Sequence, residues 1–281
     1  MIGAALLKQR KIGFIGAGNM SQAIIKALID SGVVPVGNLF ATNRSPGKLK
    51  KLEETLGVTS VNTNEELVDL CDIVILGVKP QDLVGVLEPI ASSFHESQIV
   101  ISLAAGFSLQ SLKRLLPQVI GIARAMPNTP ATIRKAVVGY CLAEGAEAYE
   151  GSVEELLKPL GIVVPLDEGE MFEALTVSCG SGPGFIFEMM LYWQEWLEEH
   201  GFEGQIAKEM VIQTFLGAAE LASQAGDISI QELQDRVVSK KGVTAAGLQS
   251  MRELEIERAL RYSFEKAVIR DQEITRGTAA Q

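Results

Sequence analysis

The sequence contains few of the residues that form disulfide bonds or bind metal ions. Its 281 residues include three cysteines and two histidines, and Cys71, Cys141 and Cys179 are far apart, without the spacing of metal ligands. An odd number of scattered cysteines argues against a disulfide framework and is typical of a reduced, cytoplasmic protein. We therefore expect a cytoplasmic location, no disulfide and no bound metal.

Long hydrophobic runs and an excess of basic residues are also missing. No apolar run approaches the roughly eighteen residues that indicate a transmembrane helix. The apolar start Met1–Leu7 is followed by Lys8, Arg10 and Lys11, which makes it too short for a signal-peptide core. The formal net charge is −10, from 25 Lys and Arg against 35 Asp and Glu. We expect neither a membrane nor a nucleic acid as partner.

The first half of the chain consists of short apolar runs that alternate with helical patterns. The predicted strands are Lys11–Ile15, Asn38–Thr42, Asp72–Val78 and Gln98–Leu103. One helix is predicted directly after the first strand and another at Lys48–Leu56. Continuous apolar strands joined by helices indicate strands buried on both faces, and hence an α/β Rossmann fold with a doubly wound parallel sheet.

The pattern changes near Gly161–Pro165, beyond which we find only helical periodicity. The predicted helices are Phe185–Glu199, Gln205–Ala225, Ile230–Val238 and Thr244–Arg276. We place the domain boundary between residues 163 and 172, and predict a Rossmann domain at residues 1–165 and an all-helical domain at residues 166–281.

The first helix of the second half is apolar on nearly every side. Its large apolar residues are Met189, Met190, Tyr192, Trp193 and Trp196. A monomer would leave much of this surface in water, so we expect a homodimer at least.

A glycine-rich stretch, Gly16-Ala-Gly18-Asn19-Met20-Ser21, lies between the first predicted strand and its helix. This is the context that a dinucleotide fingerprint requires, with Gly16 for the tight turn and Gly18 for close approach of a diphosphate. The helix start offers free N–H groups and the positive end of its dipole. We predict that Gly16, Gly18, Asn19 and Met20 bind a dinucleotide; the alternative is an ordinary glycine-rich turn.

The end of the second predicted strand indicates which dinucleotide is bound. NAD-binding proteins usually place an acidic residue there, whereas this chain has Thr42-Asn43-Arg44-Ser45 with Lys48 one turn later. A guanidinium suits a 2′-phosphate because it forms bidentate, charge-assisted hydrogen bonds. The stretch therefore favours NADPH over NADH, unless Arg44 is only a solvated loop charge.

Four other stretches are candidates for the walls of a site. Gly77–Pro80 follows a predicted strand at the sheet edge where ligands bind, although Lys79 is alternatively a surface lysine. Arg124–Pro130 predicts a loop stiffened by two prolines, and Cys179–Pro183 interrupts a helical pattern. Ser239–Thr244 precedes the last helix, where free N–H groups suit a carboxylate; capping and packing are the alternative.

The two histidines, His95 and His200, lie away from all of these motifs. A hydroxy-acid dehydrogenase normally needs a strong acid–base group, most often His, for the alcohol proton. A cyclic imine makes a lighter demand because its nitrogen can arrive already protonated. Hydride transfer to an imine then needs positioning and a hydroxyl to hold the nitrogen.

Together these stretches resemble the pyrroline-5-carboxylate reductases, the last enzymes of proline synthesis. The matching pieces, in family order and at family spacing, are Ile12–Met20, Val78–Gln81, Ile101–Gly106, Met126–Ala131, Gly180–Pro183 and Gly242–Thr244. The resemblance implies a dinucleotide-binding Rossmann domain and a helical, substrate-binding domain that intertwines with a partner to form a homodimer. In many members of the family such dimers assemble into decamers.

The resemblance also implies the reaction and the roles of individual residues. The reaction is the NADPH-dependent reduction of a cyclic imino acid, 1-pyrroline-5-carboxylate, to L-proline. Asn43 and Arg44 would meet the adenosine phosphate end, Asn64, Val78, Lys79 and Pro80 would line the cofactor, and Ala104 and Ala105 would lie near the nicotinamide. Ser239 and the amides of Gly242, Val243 and Thr244 would hold the substrate carboxylate. The catalytic group would be the Thr244 hydroxyl, hydrogen-bonded to the ring nitrogen.

The sequence departs from the family where the usual Ser-Pro-Gly-Gly is replaced by Ser239-Lys240-Lys241-Gly242. Losing Pro and Gly changes the backbone that the loop can adopt, and two lysines suit a larger or more acidic substrate. The alternatives are a reductase of another cyclic imino acid, such as a six-membered ring, and a family member that binds nucleotide without turnover. A hydroxy-acid dehydrogenase ranks behind both.

Overall fold

The computed structural model describes residues 7–279 of the chain. Residues 1–6 and 280–281 lie outside the described part. Most of the apolar start of the chain therefore lies outside it, and only its last residue, Leu7, is described. The outer ends of the two predicted domains lie outside it as well.

One sheet of eight strands organises the first part of the described chain. Its strands are β1 Ile12–Ile15, β2 Leu39–Thr42, β3 Thr59–Ser60, β4 Ile73–Leu76, β5 Ile99–Ser102, β6 Gly121–Met126, β7 Ala136–Leu142 and β8 Gly161–Pro165. The strand order is β3-β2-β1-β4-β5-β6-β7-β8, and every neighbouring pair is parallel except the antiparallel pair β6–β7. The predicted Rossmann fold is confirmed, with its order reversing between β1 and β4.

Seven helices accompany the sheet within the described residues, and five come after it. The first group is α1 Asn19–Ser31, α2 Pro46–Leu56, α3 Asn64–Leu70, α4 Pro80–Leu87, α5 Leu109–Leu115, α6 Glu150–Leu157 and α7 Glu170–Leu175. The second group is α8 Gly182–Glu199, α9 Gly204–Gln224, α10 Ile230–Arg236, α11 Val243–Glu253 and α12 Ile256–Ala279. The single helix predicted for Thr244–Arg276 is wrong, because Glu255, with φ of 52°, separates α11 from α12.

The central strands are buried on both faces, as their continuous apolar sequences predict. In β4, Ile73 and Ile75 pack in one hydrophobic core, while Val74 and Leu76 pack in a second core on the other side of the sheet. Side chains of successive strand residues point to opposite faces, so each strand contributes to both cores.

Sequence patterns missed two long strands, β6 and β7. The stretch Arg124–Pro130, predicted as a loop, begins instead with the last three residues of β6, and the loop starts only at Pro127. Arg124 is only 6% exposed, and a buried arginine inside a short run makes the run look like solvent-exposed chain. Asn128 braces the turn after β6, because its Nδ2 donates to the Cys179 carbonyl and its Oδ1 accepts from the Val137 N–H.

The described chain divides into two compact units. The first includes the residues up to Ser181 and those from Ala267 onward, and the second is Gly182–Lys266. Residues beyond β8 belong to the first unit because Phe172 and Leu175 pack in one of its cores. The predicted domain division at residues 165 and 166 stays a prediction.

The second unit has almost no interior of its own. Ala207 and Val211 are its buried hydrophobic residues among those described, whereas Trp193 is 51% and Trp196 59% exposed. These two tryptophans and Met210 help to line an open cavity of about 550 Å³. Apolar area of this extent on an isolated unit is typical of a surface that binds another protein chain.

Membrane-spanning helices and metal-binding clusters are both absent from the described part of the chain. No helix in this part of the chain is long and apolar enough to cross a membrane. No group of three or more His, Cys, Asp or Glu side chains, again among residues 7–279, is arranged to hold a metal ion.

We expect the three thiols to differ in reactivity. Burial raises the pKa of Cys71 and of Cys141 to about 12, so neither forms much of the reactive thiolate at pH 8. A chromogenic disulfide reagent should modify the partly exposed Cys179 in the folded protein, and all three thiols after denaturation. Modification of Cys71 or Cys141 at the rate of Cys179 in the native protein would contradict their burial.

Candidate dinucleotide and substrate sites

A cavity of about 740 Å³ lies at the carboxyl ends of β1, β2 and β4, where the strand order reverses. Open α/β sheets bind their ligands at this position. The cavity is lined by Ile15, Gly16, Gly18, Thr42, Asn43, Arg44, Lys48, Asn62, Thr63, Asn64, Glu65, Gly77, Val78, Lys79, Gln81, Asp82 and Val86. Seven residues predicted to bind the cofactor are among them: Gly16, Gly18, Asn43, Arg44, Asn64, Val78 and Lys79.

The turn after β1 requires glycine at position 16. Gly16 has φ of 101°, and a Cβ atom there would lie 2.9 Å from the Gly77 carbonyl group. Two hydrogen bonds fix this approach, from the Gly16 N–H to the Thr42 carbonyl and from the Gly77 N–H to the Ile15 carbonyl, both with N···O distances of 2.9 Å. The backbone therefore faces the cavity without a side chain in front of it.

The amino terminus of α1 is arranged to bind an anion. Gly18 precedes the helix in an extended conformation, no side chain caps the first N–H groups, and the first turn has no acidic residue. The side chains of Asn19 and Met20 are not among the lining groups, so these two predicted residues can contribute through their backbone N–H groups. An uncapped helix start of this kind is a ready site for a phosphate.

Ser21, which replaces the third glycine of the fingerprint, is fully buried. Its Oγ lies 2.1 Å from the position that a Cβ of Gly77 would take. The helix and the loop after β4 can be this close only because residue 77 has no side chain. The small Ser21 side chain fits this close packing of α1 against the loop.

Asn43 connects two loops of the cavity. Its Oδ1 accepts a hydrogen bond from the Ala17 N–H at 3.1 Å, and its Nδ2 donates to the Ser45 carbonyl at 3.1 Å. The resemblance places Asn43 at the adenosine end, and the structure shows a bracing function that the sequence did not indicate. The side chain holds the glycine-rich turn against the segment that carries Arg44.

The positive charge of the cavity is concentrated beside β2. Arg44 and Lys48 are exposed lining residues, and no carboxylate occurs from Thr42 through Lys48. Lys79 is an exposed residue that immediately precedes α4, and the lining carboxylates Glu65 and Asp82 belong to α3 and α4. The β2 end is therefore the part of the cavity best suited to an additional phosphate.

Three predicted cofactor residues, Pro80, Ala104 and Ala105, are not lining residues of this cavity. Pro80 is the first residue of α4. Ala104 and Ala105 follow β5, the strand next to β4, at the same edge of the sheet. Ala104 is 3% exposed and its N–H donates to the Ser102 Oγ at 3.3 Å.

Several lining residues were missed by the sequence analysis. Asn62, Thr63 and Glu65 follow the two-residue strand β3, which was not predicted, and Gln81 and Asp82 belong to the first turn of α4. These residues could have been predicted from their position directly after a strand, because the carboxyl ends of parallel strands meet at one edge of the sheet. Thr63 also caps α3, since its Oγ1 accepts from the Glu66 N–H at 3.1 Å.

The candidate substrate loop lies in the second unit. Ser239–Gly242 is a tight turn closed by a hydrogen bond from the Gly242 N–H to the Ser239 carbonyl at 3.0 Å, and Lys241 has φ of 56°. A positive φ at the third position alone is typical of a type II turn, which favours Pro at the second position and Gly at the third. The loop thus keeps the turn that Pro-Gly would form, with Lys240 and Lys241 in those places.

The residues after this turn are open to a ligand. α11 begins at Val243 with Gly242 before it and no side chain capping its first N–H groups. Val243 is 93% exposed, and Ser239 and Thr244 are exposed as well. A Cβ at Gly242 would lie 2.1 Å from the Ser239 Oγ, so a side chain at position 242 would displace the Ser239 hydroxyl.

Comparison with known proteins agrees with this arrangement. The family model for pyrroline-5-carboxylate reductase dimerisation matches residues 169–274, and a model described as NADP oxidoreductase coenzyme F420-dependent matches residues 11–106. The pyrroline-5-carboxylate reductase of Methanosarcina acetivorans is 35% identical over 270 residues, which cover 95% of this chain and 97% of that protein.

Solved structures give the same result. A pyrroline-5-carboxylate reductase from Coxiella burnetii matches with a TM-score of 0.88 and 30% identity, over 95% of this chain and 98% of that one. The Plasmodium falciparum pyrroline carboxylate reductase with NADP bound matches with a TM-score of 0.83 and 25% identity, over 96% and 99%. The chain belongs to the pyrroline-5-carboxylate reductase family.

Proposed function

We propose that this protein reduces 1-pyrroline-5-carboxylate to L-proline with NADPH, the last step of proline biosynthesis. The observation that carries the proposal is the match along nearly the whole chain to proteins named pyrroline-5-carboxylate reductase. A second candidate is the reduction of another cyclic imino acid, such as a six-membered ring. The two lysines of the Ser239–Gly242 turn favour a substrate other than 1-pyrroline-5-carboxylate, because their positive charge suits a larger or more acidic imino acid.

The cavity at β1, β2 and β4 fits a dinucleotide phosphate. A Cβ at Gly16 would crowd the glycine-rich turn after β1, and the first N–H groups of α1 are uncapped. Arg44 and Lys48 are placed to bind a 2′-phosphate, and Asn64, Val78 and Lys79 line the remainder. Bound NADPH supplies the hydride, and NADH is the weaker alternative.

On the substrate side, the proposed roles belong to the start of α11. The uncapped N–H groups of Val243 and Thr244, with Ser239, bind the substrate carboxylate. The resemblance also implies the Gly242 amide, but its N–H already donates to the Ser239 carbonyl, so Gly242 contributes by closing the turn that presents the other two. The Thr244 hydroxyl hydrogen-bonds the ring nitrogen and holds it while the neighbouring carbon is reduced. This needs no strong acid or base in the protein if the imine binds as its protonated form.

The proposal includes the assembly and the surroundings of the enzyme. The exposed apolar residues of α8 support a homodimer as the smallest assembly, and we propose the decamer as the larger one. The ligands are a small cyclic imino acid and NADPH, with neither a nucleic acid nor a membrane as partner. A cytoplasmic location fits the three unpaired thiols.

The test of the proposed function is NADPH oxidation by the purified protein, followed by absorbance, with the five-membered and six-membered imino acids compared side by side. Turnover that is faster with 1-pyrroline-5-carboxylate supports the first candidate. Faster turnover of the six-membered ring supports the second. NADPH binding without oxidation by either imine would reject both.

Arg44→Ala should raise the KM for NADPH and leave the KM for NADH nearly unchanged. A lost charge-assisted contact to phosphate costs about 1.5–3 kcal/mol, which corresponds to about 10- to 100-fold in binding. The matched control is Lys50→Ala, which removes an exposed cation of α2 that is not a lining residue of the cavity. Equal weakening of both cofactors would show that Arg44 does not select the phosphate.

Thr244→Ala should lower kcat/KM for the imine by roughly 10- to 100-fold while the dissociation constant of NADPH stays constant. One hydrogen bond that strengthens in the transition state accounts for about 1.5–3 kcal/mol. Thr244→Ser keeps the hydroxyl and should retain most of the activity. Steady-state kinetics with a parallel NADPH titration measure both effects, and an unchanged rate for Thr244→Ala would remove this residue from the mechanism.

Lys241→Gly should raise the free energy of unfolding by roughly 0.5–1 kcal/mol, because glycine adopts a positive φ without steric cost. Lys208→Gly, inside α9, is the matched control and should lower it by roughly 1 kcal/mol. Urea denaturation measures both. The double change Lys240→Pro with Lys241→Gly should leave turnover of 1-pyrroline-5-carboxylate intact if that imine is the substrate, and should raise the KM of a substrate with a second acidic group.

A further inference from the structure

The loop between β5 and α5, residues 103–108, contains Ala104 and Ala105, which the family resemblance places beside the nicotinamide. Its first part is held locally, by the hydrogen bond from the Ala104 N–H to the Ser102 Oγ. Its middle residue, Gly106, has φ of 66° and so makes the sharpest bend. Two contacts with distant parts of the first unit fix the rest of this loop.

The first contact comes from the last turns of α12. A Cβ at Gly106 would lie 2.5 Å from the Ile274 Cγ2 and 3.2 Å from the Thr275 backbone nitrogen. Ile274 therefore packs directly on the loop backbone, 168 residues further along the chain. Any movement of this end of α12 moves the surface against which the loop rests.

The second contact is an ion pair between the exposed Glu168 and the buried Arg124. Glu168 accepts a hydrogen bond at Oε1 from the Leu109 N–H at 2.8 Å, where the loop ends and α5 begins, and the same oxygen pairs with the Arg124 guanidinium. The side chain of Arg124 is 8% exposed, and its guanidinium carbon lies 4.4 Å from the centre of the Phe172 ring. The Glu168 side chain is 30% exposed, so the arginine is the shielded member of the pair, and its guanidinium is fixed by the carboxylate and the ring.

The ion pair and α12 belong to one polar cluster. Asp271 of α12 is half-buried, and burial raises the pKa of its carboxyl while the nearby Arg124 opposes that shift. The next residue, Gln272, donates from Nε2 to the Glu173 carboxylate at 2.9 Å. The end of α12 therefore packs on the loop at Gly106, and Glu168 joins the end of the loop to Arg124 of β6.

We propose that Arg124, Glu168 and Ile274 are positioning residues, which fix the 103–108 loop and through it the nicotinamide end of bound NADPH. They act through the loop and touch neither substrate nor cofactor. The inference rests on the proposed function, since the position of the loop affects a reaction only if hydride is transferred there. A displacement of about 1 Å in a reacting group can cost about 100-fold in rate.

The first experiment uses Glu168→Gln, which keeps an oxygen for the Leu109 N–H and removes the charge pair with Arg124. Single-turnover oxidation of NADPH by the imine should slow about 10-fold or more, by the misplacement argument. The dissociation constant of NADPH, measured by fluorescence titration, should change little because the phosphate groups bind at the distant end of the cofactor. The matched control is Arg270→Ala with Glu273→Ala, which removes an exposed ion pair from α12 and should alter neither quantity.

The second experiment is a double-mutant cycle between the loop and α12. Gly106→Ala should slow single-turnover oxidation, because the new methyl group collides with Ile274 and the positive φ becomes strained. Adding Ile274→Ala removes the collision, so the double variant should be faster than Gly106→Ala alone. Additive effects of the two changes would show that residue 274 does not act on the loop.

Thermal unfolding and amide hydrogen exchange complete the test. The 103–109 segment should exchange faster in Glu168→Gln and Ile274→Ala than in the parent, with the control variant unchanged. Loss of thermal stability with an unaltered single-turnover rate would make the three residues structural only and overturn the proposal, as would a rate loss matched by an equal loss of NADPH affinity. If the parent protein reduces no imine, the proposed function is wrong, and so is the role of these residues in hydride transfer. Unaltered amide hydrogen exchange in the variants would show instead that the three residues do not order the loop.

Discussion

The close approach of Gly16 to Gly77 is the constraint on which the dinucleotide site depends. It joins the ends of β1 and β4, the two strands between which the sheet reverses its order, and leaves no space for a Cβ at either glycine. The hydrogen bonds around it connect the same turn to the end of β2. Asn43 completes the connection through the Ala17 N–H. Because these contacts are short and made mostly by backbone, the cavity is preformed.

A different constraint governs the second unit. Among the described residues, α8 to α11 and the first part of α12 bury Ala207 and Val211 as hydrophobic residues, and they leave large aromatic side chains such as Trp193 and Trp196 about half exposed to water. Hydrophobic burial is the main favourable contribution to folding, so this unit lacks much of the stabilisation that a domain of its size needs. Residues 169–274 match a dimerisation model, which indicates that a second chain covers this apolar surface.

The Ser239–Gly242 turn keeps a type II geometry although Lys240 and Lys241 stand where that turn favours Pro and Gly. Lys241 adopts the positive φ that glycine adopts freely, which costs L-amino acids about 1–2 kcal/mol. The turn nevertheless closes, because the Gly242 N–H still reaches the Ser239 carbonyl. A strained residue that keeps this turn while adding positive charge agrees with a function for the charge.

The sequence by itself determined the features that depend on neighbouring residues. Apolar runs determined β1, β2, β4 and β5. The glycine-rich turn, Arg44 and Lys48 could be assigned to one site because parallel strands end at one edge. Strand β6 was not predicted, because its buried Arg124 is stabilised by an ion pair with Glu168, which is 44 residues away. The break at Glu255 and the contact of Ile274 with Gly106 likewise left no local pattern. Only the tertiary structure could decide these three features, because a buried charge and a loop conformation are stabilised by residues that are distant in the chain.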